Sequence, residues 1–76
     1  MIFKKGDFVI YKDQTYHKYC LIINTYRTGH QCLTIEALND ESKQYINIAS
    51  SCAESNLKLV TDEKEIARLR KIMVFM

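Results

Sequence analysis

Two histidines and two of the three cysteines fall in the pattern His17-x-x-Cys20 and His30-x-Cys32, which supplies the residue types of a tetrahedral metal site. Such a site needs every nitrogen and sulfur within about 2.0–2.3 Å of one ion. A hairpin turning around Thr28 and Gly29 would set Cys32 opposite Thr25 or Tyr26. Cys20 would then lie five or six residues further down its strand, roughly 16–20 Å away at ~3.3 Å per residue. That register cannot gather four ligands, so no metal is expected and Cys20 reads as a small core residue. Cys52, His30 and Glu54 supply the types of a nucleophile, a base and an orienting acid. No nucleophile elbow or paired-carboxylate motif accompanies them, and two glycines in the whole chain exclude a phosphate-cradling loop. No catalytic residue and no cofactor are expected.

The tyrosines carry more. Tyr11, Tyr16, Tyr19, Tyr26 and Tyr45 are interleaved with Lys12, Lys18, Arg27 and Lys43. Tyrosine joins a large apolar face to a hydroxyl, which suits both protein contacts and the stacking of bases. The candidate contact surface is Tyr16, Lys18, Tyr19, Tyr26, Arg27 and Tyr45. Another protein is the first partner expected of it, and nucleic acid, met by Tyr16, Lys18, Tyr19, Arg27 and Tyr45, the second. Charge favours that order: eleven basic residues against nine acidic leave a net charge of +2, whereas a dedicated nucleic-acid binder carries a one-sided basic excess.

Five short strands must position these residues. Phe8 to Tyr11 is the first apolar run, and Tyr19 to Tyr26, dense in β-branched and aromatic residues, is the strongest. Gly29 turns the chain at low cost. From Cys32 to Ala37 the pattern alternates, which places Leu33, Ile35 and Ala37 inward and Cys32, Thr34 and Glu36 outward. Residues 44–48 alternate again with Ile46 and Ile48 inward, residues 49–55 suit a 3₁₀ turn, and Leu57, Leu59 and Val60 make the last strand. The period then changes. Ile66, Leu69, Met73 and Met76 form one helical stripe, so a helix is predicted over 62–74. Asp62 and Glu65 have capping-box spacing at its start.

The opening Lys5-Gly6-Asp7-Phe8-Val9 and the closing Ser55-Asn56-Leu57-Lys58-Leu59-Val60 resemble the two ends of bacterial SH3-like, Tudor-like and KOW-type domains. The resemblance covers residues 4–60 and implies a five-stranded SH3-like small barrel within a single domain, residues 1–76, that is mainly β with a C-terminal α-helix. Two departures limit what it carries. The chain has no Trp and no Pro for a proline-rich peptide groove, and Lys18-Tyr19-Cys20 stands where a KOW motif has a second glycine.

Three cysteines without a close pair point to a reducing compartment, and no run approaches the ~18 apolar residues of a membrane span. A cytoplasmic protein with no membrane contact is expected. The many Ile, Lys and Tyr codons fit an AT-rich genome, such as a phage or mobile element of a low-GC bacterium whose product binds and modulates a host factor. The stripe Ile66, Leu69, Met73 and Met76 either plugs an open barrel end or forms an interface, including a homodimer through the helix. Truncation after Val60 separates the two: the plug is needed for folding and the interface is not.

Overall fold

Phe8, Val9, Ile10 and Tyr11 are consecutive and large, so the strand they form presents apolar side chains on both faces and needs cover on each. The computed structural model, which describes residues 3–74, shows how this is met. Five strands, β1 (Phe8–Lys12), β2 (His17–Tyr26), β3 (Gly29–Ala37), β4 (Ala49–Cys52) and β5 (Leu57–Leu59), precede the helix α1 (Glu63–Val74). They form one antiparallel sheet in the order β4-β3-β2-β1-β5. Among the described residues β4 pairs with β3 alone and β5 with β1 alone, so the sheet is not closed. No helix among them is long and apolar enough to cross a membrane.

The sheet is curled. Tyr11 on β1 and Cys52 on β4 lie three strands apart in the order, about 14 Å in a flat sheet at ~4.8 Å per strand, yet Tyr11 packs against the core cluster that holds Cys52. Two bulges in the β2–β3 pair supply bend and twist. Tyr19 faces Glu36 while Cys20 faces Thr34, which leaves Ile35 extra; Ile22 faces Cys32 while Asn24 faces Gln31, which leaves Ile23 extra. At the hairpin, Gly29 opens β3 against the Cys52 carbonyl oxygen. A Cβ there would sit 2.8 Å from that oxygen, so no larger residue fits without a shift.

Each face of the curl has its own core. The inner one gathers Val9, Cys20, Ile22, Cys32 and Cys52 with Phe3, flanked by Tyr11 and Leu57. The outer one gathers Phe8, Ile35, Val60 and Leu69, flanked by Ile10, Tyr19, Leu21, Ile66, Ile72 and Met73. The helix therefore lies across the outer face of the sheet and neither plugs an end nor turns its stripe to solvent. Ile66, Leu69 and Met73 pack inside the chain, Leu69 fully buried and the other two half-buried; Met76 lies outside the described residues. Asp62 caps the helix, its Oδ1 accepting from the Lys64 amide at 2.9 Å. Glu65 does not close a capping box with Asp62, because its carboxylate is held by Arg68.

Three sequence expectations change for related reasons. Cys32 and Thr34 are fully buried on the inner face, Ile35 is buried beneath the helix, and Leu33 and Ala37 are only half-buried. A strand covered on both sides has no outward set. Residues 44–48 are not a strand: a 3₁₀ helix (Asp40–Tyr45) occupies this region and Asn47 turns the chain at φ 64. Ile46 is half-buried and Ile48 is exposed. The strand forms instead at Ala49–Cys52, where a 3₁₀ turn was expected, because pairing with β3 and burial of Cys52 outweigh its weak β propensity. A shorter 3₁₀ helix (Glu54–Asn56) follows it.

Leu69 is the fully buried residue of the helix. Leu69→Ala is expected to lower unfolding free energy by about 2–5 kcal/mol, and a chain ending at Val60 to lose its cooperative transition, both read by urea denaturation.

Candidate functional site

Tyr11 and Lys18 are cross-strand partners in the β1–β2 pair, so their side chains share the inner face of the sheet. The loop between these strands is shaped by one carboxylate. Asp13 Oδ1 accepts from the amides of Thr15 (2.7 Å) and Tyr16 (2.6 Å), an Asx-type turn, while its Oδ2 accepts from the Tyr11 hydroxyl at 2.5 Å. This turn brings Tyr16 back over Lys18. The fourth member arrives from the 3₁₀ helix Asp40–Tyr45, which is fastened to the same loop. Asn39 caps that helix by accepting from the Ser42 amide and hydroxyl, and its Nδ2 donates to the Thr15 carbonyl at 2.8 Å. The His17 amide donates to Asn39 Oδ1 (3.1 Å) and Ser42 Oγ (2.8 Å). Tyr45 follows at the end of the helix.

The result is a tyrosine cage closed over a lysine. Lys18 is 3% exposed, and its Nζ lies 4.6 Å from the Tyr45 ring centroid, 5.0 Å from Tyr11 and 5.7 Å from Tyr16. The rings of Tyr16 and Tyr45 meet edge to face at 4.7 Å, with their hydroxyls 3.0 Å apart. Among the described residues no carboxylate is within ion-pair distance of Lys18. Contact with ring faces is worth about 0.5–2 kcal/mol for each ring, so the ammonium is held by the tyrosines. The hydrogen bond to Asp13, helped by burial, raises the Tyr11 hydroxyl above the ordinary phenol range. The same bond, with the Tyr16 and Thr15 amides and the Lys18 charge, holds the Asp13 carboxyl below its usual range. Tyr16 is raised chiefly by its hydrogen bond with Tyr45.

Of the six residues expected to share one surface, the structure joins Tyr16, Lys18 and Tyr45. Tyr19 lies on the opposite face under the guanidinium of Arg68, which stands 5.3 Å from its ring. Arg68 bonds Glu36 at 2.6 Å and Glu65 at 2.8 Å, and these two carboxylates, Glu65 first, raise its pKa further. This is a clamp between helix and sheet. Tyr26 and Arg27 lie at the far hairpin tip, where Tyr26 is 51% exposed. Lys18 and Tyr26 are eight positions apart on β2, roughly 25 Å of strand. Tyr11 and Asp13 are the members that sequence reasoning left out. Their signal is Asp13 two and three residues before the amides it caps, with a tyrosine two residues ahead of it.

The cysteine and histidine pattern resolves differently. Cys32 faces Ile22 and Cys20 faces Thr34, a register three or four positions from the one expected. The three free thiols share the inner core. Burial pushes Cys20 up to about 12. The neighbouring Cys32 and Cys52 thiols act on each other, which holds Cys32 above the ordinary thiol range and draws Cys52 below it. His17 stands at the start of β2, while His30 is buried against the edge of Phe3. The His30 Nε2 is 3.4 Å from Glu54 Oε1, and its Nδ1 has no hydrogen-bond partner among the described residues. The Cys52 thiol donates to the Ser50 carbonyl oxygen at 3.8 Å, so no thiol–imidazole hydrogen bond forms. Among the described residues no three His, Cys, Asp or Glu side chains are placed to hold a metal ion.

Asp13 gives the site a pH signature. Its folded pKa lies below its unfolded value, so its contribution is complete above the ordinary carboxylate range and fades as pH falls through the lowered value. Asp13→Asn is expected to lower the melting temperature at pH 7. The gap to the parent protein should close as pH drops below about 4, read by thermal unfolding of both chains across pH. A comparison of the chain with family models, curated proteins and solved structures finds no match.

Proposed function

We propose that the chain is a non-enzymatic protein-interaction module built as an SH3-like barrel, and that it contacts its partner through the end formed by Tyr11, Tyr16 and Tyr45. The strand order, with β5 returning beside β1 after a short 3₁₀ helix, supports the barrel assignment. One observation carries the functional reading: three half-buried tyrosines from two separate segments converge on one buried lysine. Fixed aromatic rings with polar tips give contact area at little entropic cost, as the central residues of protein interfaces do.

The nucleic-acid reading loses support from the same geometry. Phosphate binding needs an array of free cations, whereas Lys18 is buried, Arg68 is engaged by Glu36 and Glu65, and Arg27 lies at the far tip. The loop and the 3₁₀ helix that carry the tyrosines also bring Asp13, Asp40 and Glu41. Three free thiols suit a reducing cytoplasm. The AT-rich composition suits a phage or mobile-element product acting on a host protein.

The test is affinity capture from host cytoplasm with the full chain. Tyr16→Ala and Tyr45→Ala are expected to lose a captured partner that Tyr26→Ala retains, with no mobility shift of DNA or RNA at low salt. Capture that ignores Tyr16 and Tyr45, or a nucleic-acid shift that they abolish, overturns the proposal.

A further inference from the structure

Lys18 has three N–H donors and, among the described residues, no hydrogen-bond acceptor and no carboxylate at ion-pair distance. The ammonium keeps a little contact with water, since the fully enclosed side-chain atom without a partner among the described residues is His30 Nδ1, and an opposite charge that reaches it through the rings gains attraction at low desolvation cost. The nearest acid, Asp13, is already committed: one oxygen serves the Tyr11 hydroxyl and the other the Thr15 and Tyr16 amides. It cannot turn to Lys18 without opening the loop. Above the ammonium, the Tyr16 and Tyr45 hydroxyls are 3.0 Å apart. Two phenol groups in one such bond use one proton between them and leave the second to donate outward.

Building on the protein-contact reading above, we infer that this end of the fold receives a single carboxylate side chain, Asp or Glu, from the protein partner. The carboxylate accepts the spare phenol proton of the Tyr16–Tyr45 pair and gains the attraction of the Lys18 charge below the rings, in surroundings that screen it less than water does. The number of charges sets the ligand class. One lysine head beneath the rings balances one acid, and Lys43 on the neighbouring 3₁₀ helix is already held by Asp40 at 3.0 Å, so it is not free to join Lys18 in binding a chain of phosphates. The rings frame the acid sideways, so its neighbours in the partner meet tyrosine edges and the polar loop.

The probe is N-acetyl-glutamate methylamide, titrated into the isotopically labelled full chain and followed by the ring signals of Tyr16 and Tyr45 and the side-chain amine signals of Lys18. The expected result is saturable movement of these signals that the glutamine counterpart does not produce. Lys18→Met, which keeps the apolar stem, should weaken the probe about tenfold. Tyr45→Phe, which keeps the ring and removes only the donor, should weaken it about threefold to tenfold and covers the case in which Lys18→Met does not fold. Equal binding of the glutamine probe, stronger binding of N-acetyl-lysine methylamide or of inorganic phosphate, or no movement at 100-fold excess over protein each overturns the assignment. If these occur while capture still depends on Tyr16 and Tyr45, the acid assignment fails and the interaction surface stands. If capture ignores those tyrosines, the surface itself fails.

Discussion

Burial of both faces of one small sheet is the constraint on which everything else depends. β1 places Phe8 and Ile10 on one side and Val9 and Tyr11 on the other, and β2 does the same with Tyr19 and Leu21 against Cys20 and Ile22. The described residues offer one α-helix with which to cover them. Full burial of a Leu, Ile or Phe side chain contributes about 1.5–3 kcal/mol, so neither face can be left open in a domain of this size. The helix takes the outer face and is fixed there by Leu69 in the core and Arg68 at the rim. Curling of the sheet serves the inner face, with bulges at Ile23 and Ile35 supplying the bend.

That division leaves the end of the inner core nearest the β1–β2 loop without a covering element. Lys18 and the tyrosines fill the position. The aliphatic stem of Lys18 seals the core beside Tyr11 while its ammonium stays among rings. The same four side chains therefore close the fold and present its most chemically distinctive surface. Their rigidity comes from the Asn39–Ser42 network, which ties the 3₁₀ helix to the loop through hydrogen bonds to Thr15 and His17. Side chains held from two sides in this way are already ordered in the free protein.

The sequence made some of this legible. The apolar runs of β1 and β2, the change of period before the helix, and the grouping of Tyr16, Lys18 and Tyr45 were all readable from residue type and spacing. What escaped was whatever depends on register. A turn at Arg27 and Thr28, which sets Gly29 opposite Tyr26, and the bulge at Ile23 together moved Cys32 from Thr25 or Tyr26 to Ile22, and no local signal distinguishes a bulged β2 from a regular one. The alternation of Ile46 and Ile48 favoured a strand, but the cap at Asn39 and the positive φ at Asn47 prevailed. Asn39 followed three residues later by a serine was the visible clue to that helix start. Grouping the six contact residues failed for the same reason. Tyr19 and Lys18 are neighbours in sequence and lie on opposite faces, since one step along a strand changes sides.

The two cores also differ in the size of their residues, and this explains the cysteines. The outer face, opened by the curl, takes Phe8, Ile35 and Leu69 against the helix. The inner face, narrowed by the curl, has Val9, Cys20, Ile22, Cys32, Thr34 and Cys52 between its strands, with the large Phe3 brought from the segment before β1. A concave surface brings side chains from different strands towards one line, so volume per residue must fall as curvature rises. Cysteine is small and tolerates complete burial, and it carries a weak donor that can reach Ser50 or its neighbour Cys52 without a buried charge. Three thiols gathered in one core thus follow from the geometry of the sheet, and the pattern that resembled a metal motif is the sequence trace of its concave side.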